Sequence, residues 1–287
     1  MDTGCYLSID FEDFAHDLQR RLGIARPQTR PDALRSAVSK IRGIIHAANG
    51  SKEITYFSTG QVARDHGDIL HDLVKDGNEV GCHCFYHDNI SELGSKAFGA
   101  QLDQAIEAIR AATNEDVLGF RAPSFSIQAD DSWAYEEIAA RFLYDSSLVS
   151  TQRKSPDSST EVFHFDSGSS LVEFPIFRHQ IFPGMKVRVM GGTYLKVLPL
   201  KIIFRLMEKA TESGFLPLIY LHPYEFLNHG EFWSKPGDLG EIKPSSKLYW
   251  QIRQNQWLSV GNLSLMKKLE AILKVYPPMG TMRSHIS

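Results

Sequence analysis

The 287-residue sequence has few cysteines, no large excess of charge of either sign and no long apolar run. Its three cysteines, Cys5, Cys82 and Cys84, are too few and too unevenly spaced to predict a disulfide framework. A formal net charge of −3 gives no general attraction to nucleic acid or to anionic lipid. No segment approaches the ~18 consecutive apolar residues of a membrane helix, and the start lacks the pattern of a signal peptide. We therefore expect a soluble, cytoplasmic protein without an integral membrane segment or a nucleic-acid partner.

Short apolar strands alternate with amphipathic helices along the first half of the chain, a pattern that predicts an α/β protein with a parallel sheet. Strands are expected at residues 6–9, 54–57, 79–82, 117–120, 142–144 and 216–221. The serine-rich and charged segment Gln152 to Ser170 indicates a long loop, and Leu171 to Tyr194 indicates strands and hairpins. The carboxyl ends of parallel strands gather at one edge, so catalytic groups are expected there.

Three carboxylates follow the first predicted strand, at Asp10, Glu12 and Asp13. Carboxylates this close repel one another unless a cation or an arginine compensates. A solvated acidic turn that caps the next helix would explain the same pattern.

Two histidines four residues apart, His83 and His87, follow the third predicted strand. They face the same way if the chain turns helically there, and Gly81 marks such a break. Two imidazoles and one carboxylate form a three-ligand site typical of hydrolytic zinc. A thiolate site is less well supported, because Cys82 and Cys84 would point away from His83 in an extended chain. A merely structural histidine pair remains open.

Two further polar groups follow predicted strands. Arg121 ends the fourth, where a buried guanidinium would need a carboxylate partner. Pro123 restricts the turn that follows and could aim the Ser124 amide at a substrate oxygen. His222 follows the late strand as a candidate general acid, and Asp145 is the carboxylate expected to hold its tautomer and raise its pKa. A salt bridge in a structural turn and a core histidine are the respective alternatives.

In this order, the motifs resemble the polysaccharide deacetylase family, the NodB-homology carbohydrate esterases. Within that family they are similar to a bacterial branch associated with exopolysaccharide and O-antigen gene clusters. The resemblance spans residues 5 to 226 and is carried by the motifs Asp10 to Asp13, His83 to His87, Arg121 to Ile127, Gly191 to Tyr194 and Tyr220 to Glu225.

The resemblance implies a deformed (β/α) barrel with added loops, hairpins and a C-terminal helix. We expect residues 1–287 to form one catalytic domain. Its core would cover about residues 5–226, and residues 227–287 would form a C-terminal extension packed on the barrel.

The resemblance also implies a divalent metal, with Zn²⁺ as the expected ion and His83 and His87 as ligands. The family motif has two adjacent aspartates, whereas here Asp10 is followed by phenylalanine, glutamate and aspartate. The carboxylate ligand is therefore ambiguous. Asp13 is favoured, with Glu12 as the alternative.

The implied reaction is metal-dependent removal of the N-acetyl group of an amino sugar. The sugar would belong to a bacterial polysaccharide, a lipopolysaccharide O-antigen or a precursor. Asp10 matches the catalytic base, Arg121 the residue that holds it, and His222 the general acid that protonates the leaving amine, with Asp145 as its partner.

Substrate contacts are expected from Pro123, Ser124, Tyr194 and Tyr224, the two tyrosines by stacking on a sugar ring. Two other functions remain open for this chain. One is hydrolysis of a non-sugar amide or a formamide, and the other is carbohydrate binding by a catalytically decayed site.

Overall fold

The computed structural model describes residues 4–23, 28–128, 131–152, 160–182, 185–188 and 190–286. The strands are β1 (Tyr6–Phe11), β2 (Thr55–Ser58), β3 (Glu79–Cys82), β4 (Gly119–Phe120), β5 (Tyr144–Asp145), β6 (Val149–Ser150), β7 (Glu161–His164), β8 (Ser170–Glu173), β9 (Ile176–Phe182), β10 (Met185–Arg188) and β11 (Leu218–Leu221). The α-helices are α1 (Phe14–Leu22), α2 (Pro31–Ala47), α3 (Gly60–Asp65), α4 (Gly67–Lys75), α5 (Ser95–Thr113), α6 (Ser132–Ala139), α7 (Gly192–Val197), α8 (Leu200–Glu212), α9 (Pro244–Leu258) and α10 (Asn262–Val275).

The main sheet has eight strands in the order β11-β1-β2-β3-β4-β5-β8-β7 and curls into a partial barrel. All neighbouring strands from β11 to β8 are parallel, and β7 alone pairs antiparallel. A second sheet has the order β10-β9-β6. The predicted α/β architecture with a deformed barrel is confirmed.

Helix α2 shows how the sequence pattern determines a helix. Proline at its first position lacks the N–H that a helix start leaves unpaired. Leu34, Val38, Ile41 and Ile45 recur at helical spacing and are all buried. The helix therefore covers the sheet with one apolar stripe and leaves its charged face in solvent.

Some elements differ from the sequence-based predictions. The segment 152–170, predicted as a loop, contains β7, which pairs with β8 over residues 161–164; residues 153–159 lie outside the described part. Such a pairing depends on a partner strand, so composition alone does not reveal it. The fourth and fifth predicted strands shorten to two residues each, and helices α1, α3, α7 and α9 were not predicted.

All three cysteines are free and buried. Among the described residues, no helix combines the length and apolar character required to cross a membrane.

A buried carboxylate links the amino-terminal end of the barrel to the last residues of the chain. Glu79 accepts hydrogen bonds from the Thr55 hydroxyl (2.8 Å), the Tyr144 hydroxyl (2.9 Å) and the backbone N–H of Arg283 (3.1 Å). Burial raises the pKa of Glu79, while these donors act in the opposite direction. This carboxylate therefore joins β2, β3, β5 and the C-terminal segment.

Replacing Tyr144 by phenylalanine removes one of these donors and keeps the ring. We expect Tyr144→Phe to lower the free energy of unfolding by about 1–3 kcal/mol, because a buried acceptor loses a partner. Urea denaturation measures the change, with Tyr249→Phe on the exposed face of α9 as a neutral control. Equal stability of the two variants would contradict the assigned role of the Glu79 contacts.

Candidate metal centre and active site

The carboxyl ends of β1, β3, β4 and β11 meet at one edge of the sheet, where they surround a cavity of about 400 Å³. Most of the candidate residues line this cavity: Asp10, Glu12, His83, His87, Ser124, Tyr194, His222 and Tyr224. These residues lie together near the carboxyl ends of the strands, where the sequence analysis expected catalytic groups.

Asp10 is held by Arg121, whose side chain is fully buried. The guanidinium donates to Asp10 Oδ1 at 2.8 Å and to the Ser8 hydroxyl at 2.7 Å. Its remaining nitrogens donate to the carbonyl and hydroxyl of Ser146. Burial acts to raise the pKa of Asp10, but Arg121 and the two nearby histidines His83 and His222 hold it below its usual value. Asp10 is therefore ionised and oriented toward the cavity.

Glu12, His83 and His87 form a cluster in which the three candidate ligand atoms lie within 4.8 Å of one another. The Nδ1 atom of His83 lies 2.7 Å from the backbone carbonyl of Arg121, so its Nε2 is the nitrogen free to bind a metal. The Nδ1 atom of His87 lies 3.3 Å from Asp17, which leaves its Nε2 for the same purpose. In each imidazole, the contact made by Nδ1 orients the ring so that Nε2 faces the cluster.

The donor set fits a divalent cation. Glu12 Oε2 is buried and has no hydrogen-bond partner, although His87 Nε2 lies only 3.0 Å from it. A carboxylate oxygen and an imidazole nitrogen that lie this close without a well-aligned hydrogen bond are both placed to bind one shared cation. Burial opposes protonation of His87, but the carboxylates of Asp17 and Glu12 raise its pKa, so the cluster attracts positive charge. Two histidines and a carboxylate are a familiar ligand set for catalytic zinc.

Asp13 occupies a different position from the one expected for a metal ligand. One of its carboxylate oxygens accepts from the Ala15 N–H at 2.9 Å and the other from the Arg30 N–H at 2.6 Å. The chain leaves β1 at Phe11, and Asp13 becomes the N-cap of α1. Glu12, the alternative carboxylate, is the one that lies in the histidine cluster.

His222 also lines the cavity, with its Nε2 3.8 Å from Glu12 Oε1. Its Nδ1 lies 3.4 Å from Glu225 Oε2, and its backbone N–H donates to the same oxygen at 2.9 Å. Lys196 Nζ lies 3.6 Å from the other Glu225 oxygen. Burial acts to lower the pKa of His222, but the hydrogen bond and charge of Glu225 raise it to about 9.

Asp145, expected to be the partner of His222, contacts other groups. It accepts from the hydroxyl of Ser147 at 2.6 Å, and that hydroxyl accepts from the Ala122 N–H at 2.8 Å. Asp145 therefore supports the turn after Arg121, and Glu225 takes the place beside His222. The sequence does contain a signal for Glu225, because His-Pro-x-Glu has the spacing of a capping box.

Glu225 can approach His222 because the adjacent residue, Gly192, has no side chain. A Cβ atom on Gly192 would lie 1.8 Å from Glu225 Oε1. The backbone at the start of α7 therefore approaches the carboxylate more closely than any other residue type permits. This contact gives a physical reason for glycine in the motif Gly191 to Tyr194.

The turn after Arg121 has unusual backbone geometry. Pro123 begins a short 3₁₀ turn in which Ser124 and Phe125 have φ angles of 55° and 56°. Cys84, which follows His83, also has a positive φ of 61°. Left-handed geometry is uncommon in residues other than glycine and is often found at functional sites. Ser124 and Phe125 line the cavity, and Cys84 directly follows the cavity residue His83.

Aromatic residues line the remaining wall. Tyr224 stacks on the His222 ring, with centroids 4.8 Å apart and planes 10° from parallel. Tyr194 lines the cavity beside it. A second, larger groove of about 1710 Å³ shares Asp17, His87 and Ser124 with the metal cavity. Its volume exceeds the ~300–1,000 Å³ of ordinary small-molecule sites, so the site has room for an extended ligand.

Two family models match the chain. Residues 48–142 match "Polysaccharide deacetylase", and residues 146–234 match "Domain of unknown function (DUF3473)". No curated protein matches the sequence.

Solved structures share the fold at low sequence identity. A Mycobacterium smegmatis protein assigned to the polysaccharide deacetylases is 17% identical, with a TM-score of 0.54 over 96% of this chain and 93% of that one. A mutant of BA3943 from Bacillus anthracis, a family 4 carbohydrate esterase (CE4) pseudoenzyme with restored activity, is 15% identical. It has a TM-score of 0.50, with 100% of this chain and 68% of that chain covered.

The family match covers β2 through α6, including both candidate histidine ligands and Arg121. The curled parallel sheet agrees with the fold of the two structural neighbours. Residues 48–142 are therefore similar to the polysaccharide deacetylase family, in agreement with the resemblance seen in the sequence motifs.

Proposed function

We propose that the chain is a metal-dependent hydrolase that removes the N-acetyl group of an amino sugar. The observation that carries the proposal is the convergence of Glu12, His83 and His87 between an ionised Asp10 and a protonatable His222. We further propose a substrate from a bacterial polysaccharide, an O-antigen or its precursor, Zn²⁺ as the metal, and a cytoplasmic location. The substrate class and the metal rest on the sequence motifs.

The residues divide the work of amide hydrolysis. A bound divalent metal would act as a Lewis acid that polarises the acetyl carbonyl and acidifies water. Asp10, ionised beside Arg121, accepts a proton from the attacking water. Ser124 lines the cavity, and we assign its backbone N–H as the donor for the developing oxyanion.

Departure of the amine requires a proton, and His222 is suited to supply it. Its pKa of about 9 keeps the imidazole protonated at neutral pH. Asp10 and His222 thus have pKa values displaced in opposite directions, the arrangement that separates a base from an acid. Water and the amide are consumed, and acetate and the free amine are formed.

A catalytically decayed carbohydrate-binding protein is the alternative from another class, and one structural neighbour is a pseudoenzyme. Here the candidate base, acid and three metal ligands are all present in one cavity. This complete set favours an active enzyme. The adjoining groove favours a glycan over a small non-sugar amide.

Metal binding tests the choice of carboxylate ligand. We expect Glu12→Gln to weaken Zn²⁺ binding by more than about 100-fold, beyond the effect of residues that only orient ligands. Asp13→Asn should keep the metal, because asparagine preserves the helix cap. Metal content after dialysis, measured by mass spectrometry, distinguishes them, with His83→Ala as the positive control and the exposed His46→Ala as the negative one. Metal loss in Asp13→Asn would reverse the assignment.

The proposed base is tested by Asp10→Asn. We expect turnover to fall by about 10²–10⁴-fold while the metal is retained, because the variant removes a proton acceptor rather than a ligand. Acetate release from N-acetylated oligosaccharides gives the rate. Since Arg121 loses its counterion, the unfolding temperature is measured in parallel. Unchanged turnover in the folded, metal-loaded variant would argue against Asp10 as the base.

Glu225 is predicted to position His222, so its effect should appear in kcat and not in KM. Glu225→Gln should lower kcat by about tenfold, because the imidazolium loses its charged partner. Gly192→Ala should have a similar effect, since its Cβ would displace the Glu225 carboxylate. The exposed Glu241→Gln is the control. Wild-type kcat in both variants, with metal and fold intact, would exclude this role.

A further inference from the structure

Two arginines oppose each other on neighbouring strands beside the active site. Arg178 on β9 and Arg188 on β10 are register partners in an antiparallel pair. Side chains at such positions project from the same face, with Cβ atoms about 4.5–5.5 Å apart. Like charges placed directly opposite destabilise a sheet. The pair therefore carries an electrostatic cost that a bound anion would remove.

Within the described part of the chain, the ion pairs that arginines form with carboxylates do not include Arg178 or Arg188. The Nε atom of Arg178 is buried and has no acceptor. Arg188 donates to the backbone carbonyl of Ser124 at 3.2 Å and lies over the Phe125 ring at 5.1 Å. Other arginines of the site are paired, as Arg121 is with Asp10. A buried donor without a partner is costly, which indicates that an acceptor belongs there.

The arginine pair lies where the two cavities meet. Arg188 lines the 400 Å³ cavity that contains the metal ligands, and Arg178 lines the 1710 Å³ groove. Both cavities share Ser124 and Phe125, so the two arginines flank the same turn. Arg21 also lines both cavities, but its charge acts on the neighbouring Asp17. A ligand that extends from the metal into the groove would pass the arginine pair.

We propose that Arg178 and Arg188 form a subsite for an oxyanion carried by the sugar substrate, either a carboxylate or a phosphate. The inference deepens the proposed deacetylase function and rests on it. Guanidinium groups present planar, multiple donors that match both oxyanions. The substrate is accordingly an acidic glycan or a sugar phosphate, in which the charged group lies near the acetylated sugar.

Binding of three matched sugars to the metal-loaded protein tests the subsite. Glucuronate, glucose 1-phosphate and glucose share one ring and differ in carrying a carboxylate, a phosphate or no charge. We expect at least one charged sugar to bind about tenfold or more tightly than glucose in calorimetric titrations. The sugar with the larger advantage identifies the oxyanion. Equal binding of all three would overturn the proposal.

Variants assign the preference to the pair. Arg178→Gln and Arg188→Gln should each reduce charged-sugar affinity by about tenfold, and the double variant should bind all three sugars equally. Arg205→Gln, an exposed arginine on α8, should behave as wild type. A charge preference that persists in the double variant, as expected for an anion held by the metal, would overturn the proposal.

Stability separates a binding role from a structural one. Without ligand, the double variant should unfold at the same or a higher temperature than wild type, because a repulsive pair has been removed. A lower unfolding temperature, together with unchanged anion affinity, would show that the pair is structural. The titrations do not depend on turnover, so failure to release acetate would count against the proposed function alone.

Discussion

The buried ion pair between Arg121 and Asp10 is the contact on which the site depends. A guanidinium without solvent is tolerated only when its donors are satisfied. This one reaches Ser8 and Asp10 on β1 and Ser146 directly after β5. The backbone carbonyl of Arg121 also orients His83. One residue thus joins β1, β4 and the end of β5, holds the candidate base and sets the tautomer of a candidate metal ligand.

Around this pair, each titratable group has a counterion that gives it a distinct state. Arg121 keeps Asp10 ionised, and Glu225 keeps His222 protonated, while Glu225 is itself stabilised by His222 and Lys196. The histidine cluster lies between them, where an excess of carboxylate attracts a cation. An acid, a base and a cation site can share one small cavity because their charges are compensated by different partners.

Motif spacing and order were enough to predict much of this arrangement. His83 and His87 are four residues apart after a strand, and Arg121 and His222 follow strands that the parallel sheet brings to one edge. Two predictions differ from the structure: Asp13 as a metal ligand and Asp145 as the partner of His222. Both depended on the direction in which a side chain points. Asp13 satisfies a helix end and Asp145 satisfies a turn, and in both cases a backbone N–H competed for the carboxylate.

The sequence by itself determined which residue types end the strands, because apolar periodicity and local spacing are properties of short segments. It therefore indicated the α/β fold, the histidine pair and the buried arginine. Only the tertiary structure decided which carboxylate faces the histidines, which acid holds His222, and that Arg178 opposes Arg188. Those outcomes depend on strand register and on close approaches such as that of Gly192 to Glu225, which join residues far apart in the chain.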